Sequence, residues 1–187
     1  MKQRDAQRLV PSAGVGVMAD STLEQGPRYK IPESVLVVIH TVDLQVLLLE
    51  RADHPGFWQS VTGSLESADE PLVQTCRREV LEETGIAPAY GQLTDWHLEN
   101  HFEIYPHWRA RYAPGVTRNV EHVFALMLPE PVVVRIAERE HLRAQWLHWS
   151  DAAERCFSWS NVEAIRQLPA RVLEQPATSG ESAARSP

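Results

Sequence analysis

Apolar residues in the first third of the chain occur in short, β-branched runs rather than at helical spacing. Residues 35–39 (VLVVI) and 45–49 (QVLLL) are each bounded by polar or turn residues, which predicts two strands paired as a hairpin. Residues 57–62 (FWQSVT) predict a third short strand that ends at Gly63. By the same pattern, further strands are expected around residues 94–105, 122–128 and 145–149.

Residues 71–84 have the apolar spacing of an amphipathic helix. Pro71 suits a first-turn position, and Gly85 is a favourable residue for ending a helix. The acidic residues Asp69 and Glu70 precede it, where the helix dipole favours negative charge. The apolar stripe that this spacing predicts consists of Val73, Cys76 and Val80.

A second helix is expected near the C-terminus. Ser160 and Glu163 have the spacing of a capping box, and the helix is expected to end before Pro169. Strands therefore outnumber helices in the predicted domain. This balance predicts an α+β fold, with helices packed on a mixed β-sheet in an α-β-α arrangement.

Composition narrows the class of protein. The chain has 187 residues, of which 43% are hydrophobic and 23% are charged, as in an ordinary globular protein. Its formal net charge of −7 argues against general binding to nucleic acid or to anionic membranes. Two cysteines form no disulfide framework, which favours a reducing cytoplasm. No feature of the pattern specifies an oligomeric state.

The two ends of the chain differ from the region between them. Residues 1–28 mix charge, Gly, Ser and Pro without a clear period, and we expect a mobile extension there. Residues 170–187 are similar in composition and are expected to form a disordered tail. One domain is therefore expected over residues 29–169.

Acidic residues concentrate on the first predicted helix. Helical spacing places Glu79 beside both Glu82 and Glu83, and Arg78 can orient a nearby carboxylate. Glu83 falls within the apolar face and Glu79 at its edge, so burial would make their repulsion costly without a compensating cation. Mg²⁺ binds both carboxylates and phosphates, and it can activate a water molecule for attack on a phosphate. The acidic cluster therefore favours cleavage of a phosphoanhydride bond as the reaction. The alternative is a solvated acidic face in which Arg78 pairs with Glu82.

Residues 63–86 (GSLESADEPLVQTCRREVLEETGI) resemble the Nudix box, the signature of a family of hydrolases. The spacer between Gly63 and Glu70 holds six residues where the box has five. The resemblance implies a Nudix α-β-α sandwich that hydrolyses a small-molecule triphosphate with Mg²⁺, for which Mn²⁺ can substitute. Positions that match in register are Glu70, Arg78, Glu79, Val80, Glu82, Glu83, Gly85 and Ile86.

The same resemblance assigns roles within the site. It implies Glu79, Glu83 and Glu140 as metal ligands. It implies Glu82 as a further ligand or as the base that activates water, with Arg78 beside it. His141, which follows Glu140, is the one histidine whose position is of interest.

Further stretches resemble the dihydroneopterin triphosphate diphosphatase branch of that family: FWQSVTGS (57–64), FEIY (102–105), RYAPGVTRN (111–119), EHL (140–142) and SWSN (158–161). This implies release of pyrophosphate from a pterin triphosphate in folate synthesis, and also from dATP and other nucleotides. Glu103 is expected to accept hydrogen bonds from the pterin. The substrate-binding residues that it implies are Lys30, Arg51, Thr62, Phe102, Glu103, Ile104, Tyr105 and Ser158.

Two other functions stay open from the sequence. One is a general nucleoside triphosphate pyrophosphohydrolase with the same fold. The other is a non-catalytic, nucleotide-sensing relative, although a sensor would not require an intact set of glutamates. Glu103 and Tyr105 also fit an ordinary strand whose opposite face buries Phe102 and Ile104.

Overall fold

The computed structural model describes residues 29–174, so the predicted extension at residues 1–28 and most of the predicted tail lie outside the described residues. Two short 3₁₀ helices flank the fifth strand, at Pro88–Tyr90 and Pro106–Arg111. The main elements in chain order are β1 (Glu33–Thr41), β2 (Gln45–Arg51), β3 (Trp58–Gln59), β4 (Val61–Ser64), α1 (Leu72–Thr84), β5 (Gln92–Glu103), β6 (Arg118–Leu128), β7 (His141–His148), α2 (Trp149–Arg155) and α3 (Trp159–Glu174).

The seven strands of the described region form one mixed sheet, as predicted. Its main path is β3-β2-β1-β6-β5, with β4 paired to β1 and β7 paired to β2. β1 pairs in parallel with β6 over the whole length of β1, and the other pairs are antiparallel. β1 therefore lies at the centre of the sheet, which explains why its apolar run is continuous rather than alternating.

The central strand separates two hydrophobic cores, and this arrangement confirms the predicted α-β-α sandwich. Val35, Val37 and Ile39 face α1, where Cys76 and Val80 pack against them. Leu36 and Val38 face the opposite side, which α2 and α3 cover with Ala152, Ala153, Ala164, Ile165 and Leu168. Within residues 29–174, no helix is both long and apolar enough to cross a membrane.

The buried face of α1 differs from the prediction at one position. Val73 is 42% exposed, whereas Cys76 and Val80 are buried. Val73 has the correct angle on the helix but lies in its first turn, before the helix is covered by the sheet. Hydrophobic periodicity specifies the angle of a side chain and not how far the covering surface extends.

The third predicted strand is in fact two strands, and Gly63 lies inside the second of them. β3 pairs with β2 and β4 pairs with β1, so the chain changes its partner strand at Ser60. The Ser60 amide is not paired with a neighbouring strand and donates a hydrogen bond to Oδ1 of Asn161 at 2.7 Å. The helix α2, which is only two turns long, was not predicted.

The prediction that the last helix ends before Pro169 is wrong. α3 continues through Pro169 to Glu174, so residues 170–174 belong to the helix rather than to a tail. Proline removes one backbone hydrogen bond from the helix. Tertiary contacts compensate, because the Arg171 guanidinium lies 4.5 Å from the centre of the Trp96 ring and donates to the Trp96 carbonyl at 3.3 Å.

Candidate active site

Gly63 allows α1 to lie directly on β4. A Cβ atom at this position would overlap the carboxylate of Glu79, so only glycine permits the observed approach. The side chains of Glu79 and Glu83 are 12% and 4% exposed. Glu83 therefore lies on the buried face of the helix and Glu79 at its edge, as the helical spacing predicts.

Arg78 holds the acidic residues in place. Its guanidinium contacts Oε1 of Glu79 at 2.7 Å, Oε1 of Glu70 at 3.2 Å and the Ser64 carbonyl at 3.0 Å. The contact to Glu82 is longer, at 3.5 Å, and Glu82 is 57% exposed. The solvated-face alternative therefore describes Glu82 alone, since Glu79 and Glu83 are buried.

The loop between Gly63 and Glu70 absorbs the additional residue of the spacer. The Glu70 carboxylate still reaches Arg78 with both oxygens, at 3.2 and 3.3 Å. Oε2 of Glu70 also accepts a hydrogen bond from the Glu66 amide at 2.7 Å, which closes the loop. The additional residue therefore leaves the contact between Glu70 and Arg78 in place.

The segment before β7 brings a second acidic group to α1. The Arg135 and Ala137 amides donate to the carbonyls of Thr84 and Glu83, at 2.9 and 3.3 Å. Glu140 and His141 consequently lie beside Glu83, and ligand atoms of the three residues are within 4.8 Å of one another. Nothing but the family resemblance pointed to this long-range contact.

The electrostatics of this cluster favour a bound cation. Burial, and next the neighbouring Glu83, raise the pKa of Glu79 to about 7. Burial also raises the pKa of Glu83, an effect that His141 opposes and Glu140 reinforces. Nε2 of His141 is 3.1 Å from Oε2 of Glu83 but is not aligned for a hydrogen bond, so this oxygen has no donor among the described residues. Unsatisfied carboxylate oxygens of this kind fit a hard divalent cation.

A pocket of about 320 Å³ opens beside the acidic cluster, with Gly63 and Thr62 in its wall. This volume lies within the range of small-molecule binding sites. All of the predicted substrate-binding residues line it: Lys30, Arg51, Thr62, Phe102, Glu103, Ile104, Tyr105 and Ser158. Glu79, Glu82, Glu83 and Glu140 do not line the pocket itself, but Glu79 contacts Gly63, which does.

Three cations border the pocket despite the negative net charge. Lys30, Arg51 and Arg111 all line it. Desolvation, and next the positive charge of Arg111, lower the pKa of Lys30. Arg51 is oriented by Asp53, which accepts two hydrogen bonds at 2.7 and 2.8 Å, and by Gln59 at 3.1 Å. Such a cluster creates the local positive potential that an anionic substrate requires.

The structure qualifies two of the predicted substrate contacts. Glu103 is 64% exposed, and its carboxylate contacts Arg109 at 3.1 Å and Arg118 at 4.0 Å, so arginines already occupy its oxygens. Ser158 immediately precedes α3, and its hydroxyl accepts a hydrogen bond from Nδ2 of Asn161 at 2.8 Å. Ile104 is buried and Phe102 is partly buried, in agreement with the alternation expected for a strand.

Several residues of the pocket were not identified from the sequence. Three of them, Arg111, Tyr112 and Asn119, belong to the RYAPGVTRN stretch that resembles the pterin triphosphate branch. The resemblance of this stretch implies no role for its individual side chains. The remaining residues that were missed include Trp108, Glu121 and Asn161.

Comparison with known proteins identifies the class. The family model described as NUDIX domain matches residues 30–168. The chain therefore belongs to the Nudix family, and it is a Nudix hydrolase.

Within this family, the chain is similar to the dihydroneopterin triphosphate diphosphatase of Escherichia coli (strain K12). The two are 49% identical over 143 residues, which cover 75% of this chain and 93% of the relative. The enzyme of the same name from Haemophilus influenzae is 41% identical, covering 75% and 89%. The solved structure of the E. coli dihydroneopterin triphosphate pyrophosphohydrolase matches with a TM-score of 0.71 and 45% identity, covering 76% of this chain and 98% of that one.

Proposed function

We propose that this protein hydrolyses dihydroneopterin triphosphate to dihydroneopterin monophosphate and pyrophosphate, in folate biosynthesis. The observation that supports this most directly is the pocket lined by aromatic and cationic side chains, whose wall includes Gly63, the residue that contacts the Glu79 carboxylate. The similarity to enzymes of that name, which extends over most of their length, supports the choice of substrate.

Glu79, Glu83 and Glu140 are the residues that would hold Mg²⁺, or Mn²⁺ in its place. Glu83 and Glu140 offer carboxylate oxygens within 4.8 Å of one another, and the buried oxygen of Glu83 has no donor within residues 29–174. Glu79 lies one turn before Glu83 on the same side of α1. A bound ion would neutralise charge on the phosphates and make a water molecule more acidic. His141, whose Nε2 lies 3.1 Å from Oε2 of Glu83, is a less suitable ligand than the glutamates, because Mg²⁺ prefers oxygen ligands.

The protein's own residues bind and orient the substrate. Lys30, Arg51 and Arg111, which line the pocket together with Gly63, would bind the phosphates. Arg78 keeps the Glu79 carboxylate in place through its 2.7 Å contact and is a positioning residue. Glu82, which is exposed and contacts Arg78, is our candidate for the carboxylate that accepts the proton of the attacking water.

A general nucleoside triphosphate pyrophosphohydrolase is the second candidate. Phe102, Tyr105, Trp108 and Trp159 line the pocket, and aromatic rings can stack on any flat heterocycle. A cytoplasmic location, expected from two cysteines that are both free, stays a prediction.

Product analysis tests the proposal. Dihydroneopterin triphosphate is incubated with the purified protein and Mg²⁺, and the products are separated by chromatography. We expect the monophosphate and pyrophosphate in equal amounts, and no reaction in excess EDTA. Release of orthophosphate, or hydrolysis that survives the chelator, would contradict the proposed chemistry.

A further inference from the structure

Two buried polar side chains of β6 line the pocket. Glu121 and Asn119 are two residues apart and therefore face the same side of the sheet. They are only 5% and 3% exposed, and both line the pocket. Their partners on β5 are Asn100, opposite Glu121, and Phe102, opposite Asn119. We call Asn119 and Glu121 together the acceptor floor.

The acceptor floor has more hydrogen-bond acceptors than the protein satisfies. Nδ2 of Asn119 donates to Oγ of Ser34 at 2.7 Å, and Oδ1 of Asn119 is buried without a donor among the described residues. Glu121 accepts a hydrogen bond from Nδ2 of Asn100 at 3.2 Å and one from the Ser160 hydroxyl. No Lys or Arg within residues 29–174 forms an ion pair with it.

A buried carboxylate without a cation is costly to keep, because it gives up its hydration. Burial accordingly raises the pKa of Glu121, while its hydrogen bonds from Ser160 and Asn100 oppose this effect. In a pocket that takes a flat heterocycle, such a carboxylate can accept hydrogen bonds from ring and amino N–H groups. The two oxygens of one carboxylate can accept from two adjacent N–H groups on the same edge of a ring.

We propose that Glu121 determines the specificity of this site by accepting hydrogen bonds from the two adjacent N–H groups of a 2-amino-4-oxo heterocycle, as in a pterin or a guanine. Adenine presents an amino group beside a ring nitrogen that is itself an acceptor, so it faces the carboxylate with a lone pair. Oδ1 of Asn119 provides a further acceptor for the same class of ligand. This inference rests on the proposed function, since it assigns the heterocycle of a triphosphate substrate to this pocket.

A purely structural role predicts something different. Ser160 lies in the first turn of α3. In a purely structural role, Glu121 would do no more than hold this helix against the sheet through its contact with Ser160. Its replacement would then lower the melting temperature and reduce the turnover of every substrate by the same factor. Recognition of the heterocycle predicts a loss that depends on the substrate.

The first experiment changes the substrate and leaves the protein intact. GTP and ITP differ only in the 2-amino group, which ITP lacks. We expect the wild-type kcat/KM to be about 10- to 150-fold lower for ITP, the range for one hydrogen bond to a charged group. Equal values of kcat/KM for GTP and ITP would overturn the inference, whatever the fate of any variant.

The second experiment combines this comparison with Glu121→Gln, which keeps the size of the side chain. We expect the ratio of kcat/KM for GTP to kcat/KM for ITP to fall towards one in Glu121→Gln. The matched change Glu99→Gln on β5 should leave this ratio unchanged. Glu99 is exposed and does not line the pocket. A folded Glu121→Gln protein that retains the wild-type ratio would refute the assignment.

A binding measurement separates this inference from the proposed function. Neopterin binding in EDTA, followed by tryptophan fluorescence, requires no hydrolysis. We expect Glu121→Gln to raise the Kd by about tenfold or more and Glu99→Gln to leave it unchanged. If the protein releases no pyrophosphate, the proposed function fails. A loss of neopterin binding in Glu121→Gln alone would still support recognition of the heterocycle by the acceptor floor. Equal Kd values for Glu121→Gln and wild type would overturn the role of Glu121 in recognition and leave the proposed function untouched.

Discussion

Replacing Gly63 with alanine should impair catalysis without unfolding the protein. The added Cβ would overlap the Glu79 carboxylate, and the nearest atoms of an ordinary contact are at least 3.4 Å apart. The carboxylate must therefore move by more than about 1 Å, and a misplacement of this size can reduce a rate by about 10²-fold. The backbone of Gly63 is not in the left-handed region, so alanine brings no backbone strain of its own.

The assay is kcat for pyrophosphate release, measured with the melting temperature for Gly63→Ala and for a control. Gly115→Ala is a suitable control, because a Cβ there meets nothing within 4 Å but the φ angle of +87° disfavours alanine. We expect the control to lose stability and keep its activity, and Gly63→Ala to show the reverse. Near-normal kcat in a folded Gly63→Ala protein would refute the placement of Glu79 against β4 as a requirement of catalysis.

Three further predictions concern the carboxylates. Glu83→Gln should lower kcat by about 10²-fold or more, and it should abolish the rise in melting temperature that Mg²⁺ produces in the wild type; an unchanged rise would contradict its role as a ligand. The raised pKa of Glu79, about 7 against an ordinary 4.5, means that the folded state binds the proton more tightly. Its contribution to stability is therefore complete below pH 4.5 and is lost as pH rises through about 7, so in EDTA the melting temperature should fall over this range, and less so in Glu79→Gln. Glu103→Ala should change kcat/KM little and equally for dihydroneopterin triphosphate and dATP, because Arg109 and Arg118 already contact this carboxylate; a loss confined to the pterin would restore Glu103 as the recognition residue.

The local features of the fold follow from the sequence. The β-branched run of β1 and the apolar spacing of α1 predict buried elements, and both are buried. Helical geometry alone places Glu83 inside and Glu79 at the edge of the covered face. The change of partner strand at Ser60 was not predictable, because strand pairing depends on residues far apart in the chain, such as Asn161.

The candidate site also contains some residues that could be predicted from the sequence and others that could not. The acidic residues of α1 could be predicted because they are neighbours on one helix. Glu140 joins them through hydrogen bonds between residues 135–137 and the end of α1, which no local pattern reveals. Glu121 was missed because a lone acidic residue in a strand usually faces solvent. Only the tertiary structure shows that α3 covers it.

A competition experiment tests the central claim most directly. Dihydroneopterin triphosphate and dATP are mixed at equal concentrations with the protein and Mg²⁺, and the initial rates of their disappearance give the ratio of the two kcat/KM values. The account predicts that the pterin triphosphate is consumed faster and that both reactions stop in EDTA. Preferential loss of dATP would contradict the proposed substrate, and binding without consumption of either compound would contradict the proposed hydrolysis.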